Sequence, residues 1–577
     1  MSTLFDQPRP RKSFGDAAEA AEFVGMLEKF ERGEITSDQY RHYRLSRGIY
    51  GQRQDGLHMV RVKIPQGIIT APQLRILADL GERYSRGYGH LTTRQNIQFH
   101  NVKPENAPPF MEALANCGLT TREACSHTVR NVVGCPYSGV DPDEPFDVTP
   151  YGEAVTRHFL RNKWGSGLPR KFKITISGCP DDCARSAMND IGIIAQLKDG
   201  VRGFRILVGG GTSTLPRSAR VIHEFLPADD LLASCEAVVR VFNVEGERNN
   251  LRKARLKWAI ERLGWEGFKA RYEEELVNIR LDGGRPLPPI PGPEQPPPKR
   301  PILRTDGRPL PRDYQEWRTN NVRAQLQKGY FAATVFLRLG DISGDQFRGI
   351  AKIAEELGDG TVRTTLQQNL LFRWVPEEAL PVLWSRLQEL GLGEGHADSL
   401  RDVVSCPGAE TCKIAVTASR GLAQLLGDHF KEKPLGNAST ADIKISGCPN
   451  GCGQHHISAI GLQGGVKKVG GNLVPQYHLM IGGAVDGTGA KFGRLVARLP
   501  ARRVPEAVDR LLAHFEKHRG PDEKPHAFFL RLATDEARKL VADLEKIDEK
   551  NARPEDFIDL GSDVQFKVVL TESECAA

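Results

Sequence analysis

The chain repeats itself once. Blocks of its first half recur in the second, in the same order, at an offset of 269 to 273 residues. TAPQLRILADL (70–80) is matched by SGDQFRGIAKI (343–353), and VVGCPYSG (132–139) by VVSCPGAE (403–410). ITISGCPDDC (174–183) is matched by IKISGCPNGC (443–452), and FRILVGGG (204–211) by YHLMIGGA (477–484). Solenoid repeats run to 20–50 residues. A single repeat of this length means an internal duplication, with two halves that pair about a pseudo-twofold. Each half opens with a strand-like run, an amphipathic helix, a second strand and a second helix: HMVRVKIP to PPFMEALANCGL, and ATVFLRLG to LPVLWSRLQELGL. Between the halves, Pro286–Pro301 holds nine of the 37 prolines. Proline fixes φ and removes a donor, so this stretch is neither helix nor sheet and runs extended.

At 577 residues the chain is too long for one core. It is 40% apolar and 26% charged, which is globular rather than disordered or fibrous. No run approaches the ~20 apolar residues of a membrane span. The first 25 residues lack the apolar stretch of a secretory signal, so a cytoplasmic protein that binds no membrane is expected. The net charge of +7 is too mild for a nucleic-acid binder and suits an anionic ligand or partner. Eleven cysteines, an odd count, argue against a disulfide scaffold.

Four of those cysteines form two spaced pairs in Pro/Gly-rich loops of the second half: Cys406 with Cys412, and Cys448 with Cys452. Four thiolates can hold zinc or an iron–sulfur cluster. Structural zinc sites use tighter spacing inside a small knuckle, whereas a bulky cubane accepts these gaps; buried packing cysteines are the remaining reading. The first half offers Cys135, Cys179 and Cys183, but the counterpart of Cys412 falls at Asp141. That reads as a degenerate copy with inert thiols, or an incomplete second site. Cys117, Cys125 and Cys235 lie in apolar, helical-looking contexts and read as core; Cys575 reads as a tail thiol.

The first half also gathers cations at strand ends: Arg61 and Lys63 in MVRVKIP, Arg94 in LTTRQNIQFH, Arg130 in VRNVVGCP, and Arg170, Lys171 and Lys173 in LPRKFKITIS. Lys171 and Lys173, two apart in a strand-like run, share a face. The corresponding strand of the second half keeps only Lys444. Clustered beside the cysteine blocks, these cations point to a polyanionic ligand or substrate.

Together these blocks resemble the sulfite/nitrite reductase hemoprotein family, over about residues 45–280 and 325–525. The resemblance implies a siroheme bridged to a [4Fe–4S] cluster. It implies that Cys406, Cys412, Cys448 and Cys452 ligate the cluster, with Cys452 bridging to the siroheme iron. It places Arg94, Gln98, His100, Arg170, Asn450 and, less directly, Arg255 at the siroheme carboxylates. It makes Arg61, Arg130, Lys171 and Lys173 the cations of the substrate pocket. Tyr50 and Cys135 match a Tyr–Cys pair that is crosslinked in some members.

The resemblance also implies an α+β, three-lobed, internally duplicated fold. Its parts are an N-terminal extension (1–56), paired ferredoxin-like half-domains (57–125 and 327–397), two related siroheme/Fe–S domains (126–280 and 398–525), a Pro-rich linker (281–326) and a C-terminal tail (526–577).

Lys173 tilts the expected substrate towards sulfite, since plant-type nitrite reductases tend to carry Asn there; nitrite is the alternative. There is no G-x-G-x-x-G after a strand and no P-loop, so the chain takes no hydride itself. Ferredoxin is the expected electron donor, with a flavoprotein reductase subunit as the runner-up.

Overall fold

A computed structural model describes residues 11–297 and 310–569; Cys575 lies outside the described residues. The duplication appears as strand exchange. One five-stranded sheet runs Ile49–Gly51, His58–Val62, Ile97–Val102, Tyr88–Leu91 and then Asp341–Ser343, its last strand coming from the second half. The other runs Val322–Ala324, Tyr330–Val335, Leu370–Pro376, Thr361–Thr364 and then Ile68–Thr70, its last strand coming from the first half. Each ferredoxin-like half-domain therefore completes the sheet of the other.

The helices that follow the exchanged strands, Ala71–Tyr84 and Gly344–Leu357, pack on each other. Both begin with a capping box, Thr70 with Gln73 and Ser343 with Gln346, which satisfies the first free N–H groups of each helix. One apolar core holds residues of both copies, Leu74 and Leu77 with Phe347 and Ile350 among them.

The two remaining large sheets are also copies. The first orders Val133–Gly134, Ile174–Ser177, Ile191–Lys198, Val201–Val208 and Arg220–Pro227; the second orders Val404–Ser405, Ile443–Ser446, Ile460–Val469, Asn472–Ile481 and Arg494–Pro500. In each, the first three strands are parallel and the rest antiparallel. Cys135 and Cys179 follow the carboxyl ends of the first sheet's two short parallel strands, and Cys406 and Cys448 follow those of the second. Parallel neighbours end on the same side, so each pair of cysteine loops converges.

Three segments are more integral than their sequence suggests. Phe23 and Tyr40 of the N-terminal extension lie in the first core, where they cover the helix–sheet layer. Residues 310–326, read as linker, contain the helix Arg312–Asn321 and an edge strand, and Trp317 is fully buried. The charged tail delivers Phe528, Phe529, Leu532 and Val541 to the core of the second half's large sheet. Its amphipathic helices carry the charges outward, which hid this role.

The proline segment 286–297 has no regular structure, yet it is pinned. Glu294 pairs with Arg373 at 2.9 Å, and Arg373 also pairs with Asp359 at 2.9 Å, with all three side chains at most 8% exposed. Removing one partner of a buried pair strands the others' charge, which costs about 3–5 kcal/mol. Arg373→Met should therefore lower unfolding free energy by about that amount, read by denaturant titration.

Candidate active site

The cluster loops show why cysteine, glycine and serine stand where they do. Gly408 has φ +59°, and a Cβ there would sit 2.4 Å from Ser419 Oγ. At Gly453 a Cβ would sit 1.9 Å from the Ile445 carbonyl oxygen. Gly453 lets its cysteine loop close against the strand Ile443–Ser446, and Gly408 lets its loop close against the start of the helix Ser419–Lys431. The Gly447 N–H donates to Cys406 Sγ at 3.3 Å, Ser419 Oγ lies 3.3 Å from the same sulfur, and the Asn450 N–H donates to Cys448 Sγ. These contacts fix thiolate positions. Burial, followed by the charges of Cys452, Cys406 and Cys412, pushes the Cys448 thiol up, so the four sulfurs face one another.

Spacing decides what they can hold. Zn–S bonds of about 2.3 Å in a tetrahedron bring sulfurs to about 3.8 Å. Among the described residues, the metal-capable set drawn within 4.8 Å lies in the first half of the chain and includes none of these four. No three of the C-terminal sulfurs come within that distance of one another, so the set is not gathered around a single tetrahedral ion. Cys406 and Cys448 are buried, Cys412 is half-buried, and Cys452 is exposed.

Cys452 looks toward the first half. Its carbonyl accepts from Thr93 Oγ1 at 2.8 Å, and Gln454 Nε2 donates to the Thr93 carbonyl at 3.1 Å. The turn that carries Thr93 also carries Arg94. Arg94 donates to Asn189 Oδ1 at 3.0 Å and to the Asn131 carbonyl at 2.8 Å. Burial, then Arg130, Arg255 and Arg61, push its guanidinium down to about 9, with Asp190 opposing.

Lys173 is pushed well below the ordinary lysine value by burial, then by Arg94, Arg255 and Lys171; Cys452 opposes the shift. These two residues place Arg61, Arg94, Arg130, Lys171, Lys173 and Arg255 in one field beside Cys452. Arg61 Nη2 and Nε donate to Gln98 Oε1 at 2.6 and 3.0 Å with the Gln98 amide oxygen facing inward, and these residues are opposed across adjacent strands. Arg130 donates to the Ala124 and Ser126 carbonyls, which aim it from the loop before its strand.

Several contributors carry no motif. Asp190 is fully buried and grips Arg255 through two contacts, at 3.2 and 2.8 Å, while also accepting the Lys173 N–H at 2.9 Å. Lys257 donates to the Thr212 carbonyl, and burial followed by Arg255 pushes it down to about 8. Lys63 faces Glu123 at 3.8 Å, both buried, and burial pushes it to about 8. Only the proximity of Arg61 and Lys63 in one strand hinted at the last.

Other sequence expectations land elsewhere. His100 shares a strand face with Gln98 but lines a small cavity with Arg86, His90, Thr411 and Arg420, against the first cluster loop. Arg170 turns to His127 Nε2 at 3.3 Å. Tyr50 does not meet Cys135. It shares a small apolar cluster with Leu45, Met59 and Cys125, and Arg61 donates to Cys125 Sγ at 3.3 Å. Cys135 packs with Cys179 and Cys183 instead. The Tyr50–Cys135 crosslink thus has no geometric basis, because the strand end after Val133–Gly134 carries Cys135 to the far sheet. Cys125 is buried as expected, but in a turn segment rather than a helix.

A group of mutually repelling cations therefore lies beside the four cysteines of the second half. Buried polar atoms without a protein partner, Arg94 Nε and Asn131 Oδ1, add donor and acceptor capacity there. Such a set could hold a metal–sulfur centre beside cations suited to an anionic ligand. The domain family described as "Nitrite and sulphite reductase 4Fe-4S domain" matches residues 125–279 and 396–547, and the "Nitrite/Sulfite reductase ferredoxin-like half domain" matches 50–117 and 323–390. The chain belongs to the nitrite/sulfite reductase family, whose cofactors are siroheme and a [4Fe–4S] cluster; it is an oxidoreductase.

A ferredoxin–nitrite reductase of Leptolyngbya laminosa is 32% identical over 455 residues, 77% of this chain and 83% of the relative. A sulfite reductase [ferredoxin] of Mycobacterium tuberculosis is 29% identical over 517 residues, 85% of this chain and 88% of the relative. The solved structure of Mycobacterium tuberculosis NirA protein superposes with a TM-score of 0.74 at 28% identity, covering 91% of this chain and 97% of that one. No described helix is long and apolar enough to cross a membrane.

Proposed function

We propose that the chain reduces sulfite to sulfide in the cytoplasm, taking six electrons singly from ferredoxin. The observation that carries this reading is Lys173, an amine held among Arg94, Arg255 and Lys171 and facing Cys452. A dianion with three oxygens neutralises such a pocket better than a monoanion. Siroheme and its cluster, when bound, supply the electrons and the iron that binds the substrate atom. Cys406, Cys412, Cys448 and Cys452 would hold the cluster, and Arg94, Arg255 and Gln98 would meet siroheme carboxylates.

The chain's own part is charge and protons. Arg61, Arg130, Lys171 and Lys173 draw the anion in and polarise its oxygens as each leaves as water. Lys171 and Lys173 hold transferable protons at Nζ; arginine does not give up its proton. Asp190 positions Arg255 and, through the Lys173 N–H, the segment that leads into the strand Ile174–Ser177.

Nitrite is the second reading, supported by relatives that carry the name ferredoxin–nitrite reductase. Steady-state kinetics with both anions, driven by reduced ferredoxin and by a reduced viologen, separate the two. We expect the higher kcat/KM with sulfite. A nitrite preference of orders of magnitude would replace this reading with the second.

A further inference from the structure

The first half keeps a second, tighter ligand set. Cys135, Asp141, Cys179 and Cys183 each present one ligand atom, and all four atoms lie within 4.8 Å of one another. Cys179 and Cys183 sulfurs are 3.4 Å apart, and Cys135 is in hydrogen-bond contact with both. The Asp141 carboxylate reaches Cys179. These separations bracket the ~3.8 Å expected around one tetrahedral zinc ion.

The duplication explains the origin of the set. Asp141 stands where the second half has Cys412, and the other three ligands match Cys406, Cys448 and Cys452. Asp141 fills, with a harder oxygen ligand, the place that left the first half looking degenerate.

The surroundings suit a bound cation. The N–H groups of Asp181 and Cys183 donate to Cys179 Sγ, and the Asp143 N–H donates to Asp141 Oδ1 at 3.0 Å. Such donors orient ligands around a metal. Three thiolates and a carboxylate leave two negative charges after binding a divalent ion. Arg185, buried beside Cys183, and Arg323, facing Cys183 and Asp141, offset them.

The geometry points to a structural site for one thiophilic divalent cation, zinc foremost, held by Cys135, Asp141, Cys179 and Cys183. Four protein ligands close the coordination sphere, which is the structural rather than the catalytic pattern. The ligand loop is also a joint: the Leu326 N–H donates to the Val140 carbonyl at 2.8 Å, Gln327 to Gly139 at 3.1 Å and Arg373 to Ser138 at 3.0 Å. The cation would fasten the first siroheme domain to the second half-domain at that joint.

The test is metal content of the holoenzyme by elemental mass spectrometry, purified without chelator, for wild type, Cys179→Ser and Asp141→Asn. We expect about one zinc per chain in wild type. The zinc should be lost in Cys179→Ser while iron content and the Soret band stay. Cobalt-grown wild type should show tetrahedral d–d bands with thiolate charge transfer, weakened by Cys179→Ser. If that variant does not fold, titrating wild type with an organomercurial should release zinc in step with the modified thiols. Wild type without zinc, a Cys179–Cys183 disulfide in peptide mapping, or extra iron that falls in Cys179→Ser would each overturn the assignment. The last would reveal a second iron–sulfur cluster.

Discussion

Cys452→Ser should abolish reduction of both anions while leaving the fold in place. Cys452 is exposed, unlike the buried Cys406 and Cys448. Its loop is held by the backbone: the Cys452 carbonyl accepts from Thr93 Oγ1, and the Gln454 amide reaches the Thr93 carbonyl. Serine keeps those contacts. What it removes is a thiolate that closes the four-sulfur set and faces the cationic pocket. Losing even a hydrogen-bond partner of a metal ligand costs up to about 100-fold in activity or affinity, so losing one of the four thiolates that would hold the cluster should cost more.

The measurements are turnover with a reduced viologen, iron content, the visible spectrum and the melting temperature. We expect turnover below about 1% of wild type, an altered Soret band and a melting temperature within a few degrees. Cys448→Ser is the contrast. Cys448 is buried and its sulfur accepts the Asn450 N–H, so that change should lose both cluster and stability. A Cys452→Ser enzyme that turns over normally would mean that the exposed thiol is not at the reacting centre.

What could be read from the sequence and what could not divide along physical lines. The cysteine loops were legible because strand, Gly-Cys-Pro turn and spacing are local signals that recur in both halves. The K-x-K pair was legible for the same reason, since a period of two fixes a shared face. Strand exchange was not legible. Asp341–Ser343 and Ile68–Thr70 are three residues each, and their partners are far away in the chain. Pairing at that separation is set by the packed helices above them, not by local propensity.

Asp190 was invisible because a buried carboxylate gripping an arginine looks in sequence like any surface acid. Cys135 was misassigned for a related reason. Its match to a family position was local, while its neighbours Cys179 and Cys183 arrive from another strand. Tyr50 found Cys125 because the turn carrying Cys125 folds back onto the strand that holds Arg61. The residues that escaped are those whose role lies in a contact between distant segments.

Lys173→Gln should lower kcat/KM for sulfite by about 10²–10³, the cost of removing one preorganised charge donor from a reacting oxyanion. The pH dependence carries more information than the size of the loss. Burial, then Arg94, Arg255 and Lys171, hold the Lys173 ammonium well below its ordinary value in the free pocket. Below that depressed value the lysine is already charged, and an anion binds without proton uptake. Above it the amine is neutral, and each binding event must take up a proton to restore the charge. KM for sulfite should therefore rise with pH on the alkaline side of that value, by up to tenfold per pH unit for one proton. Lys173→Gln should flatten this rise, because the titrating group is gone. Lys173→Arg should flatten it too, yet keep KM closer to wild type while kcat falls, since guanidinium supplies charge but no transferable proton. An unchanged alkaline limb in both variants would assign the proton to another group, with Lys171 the next to test.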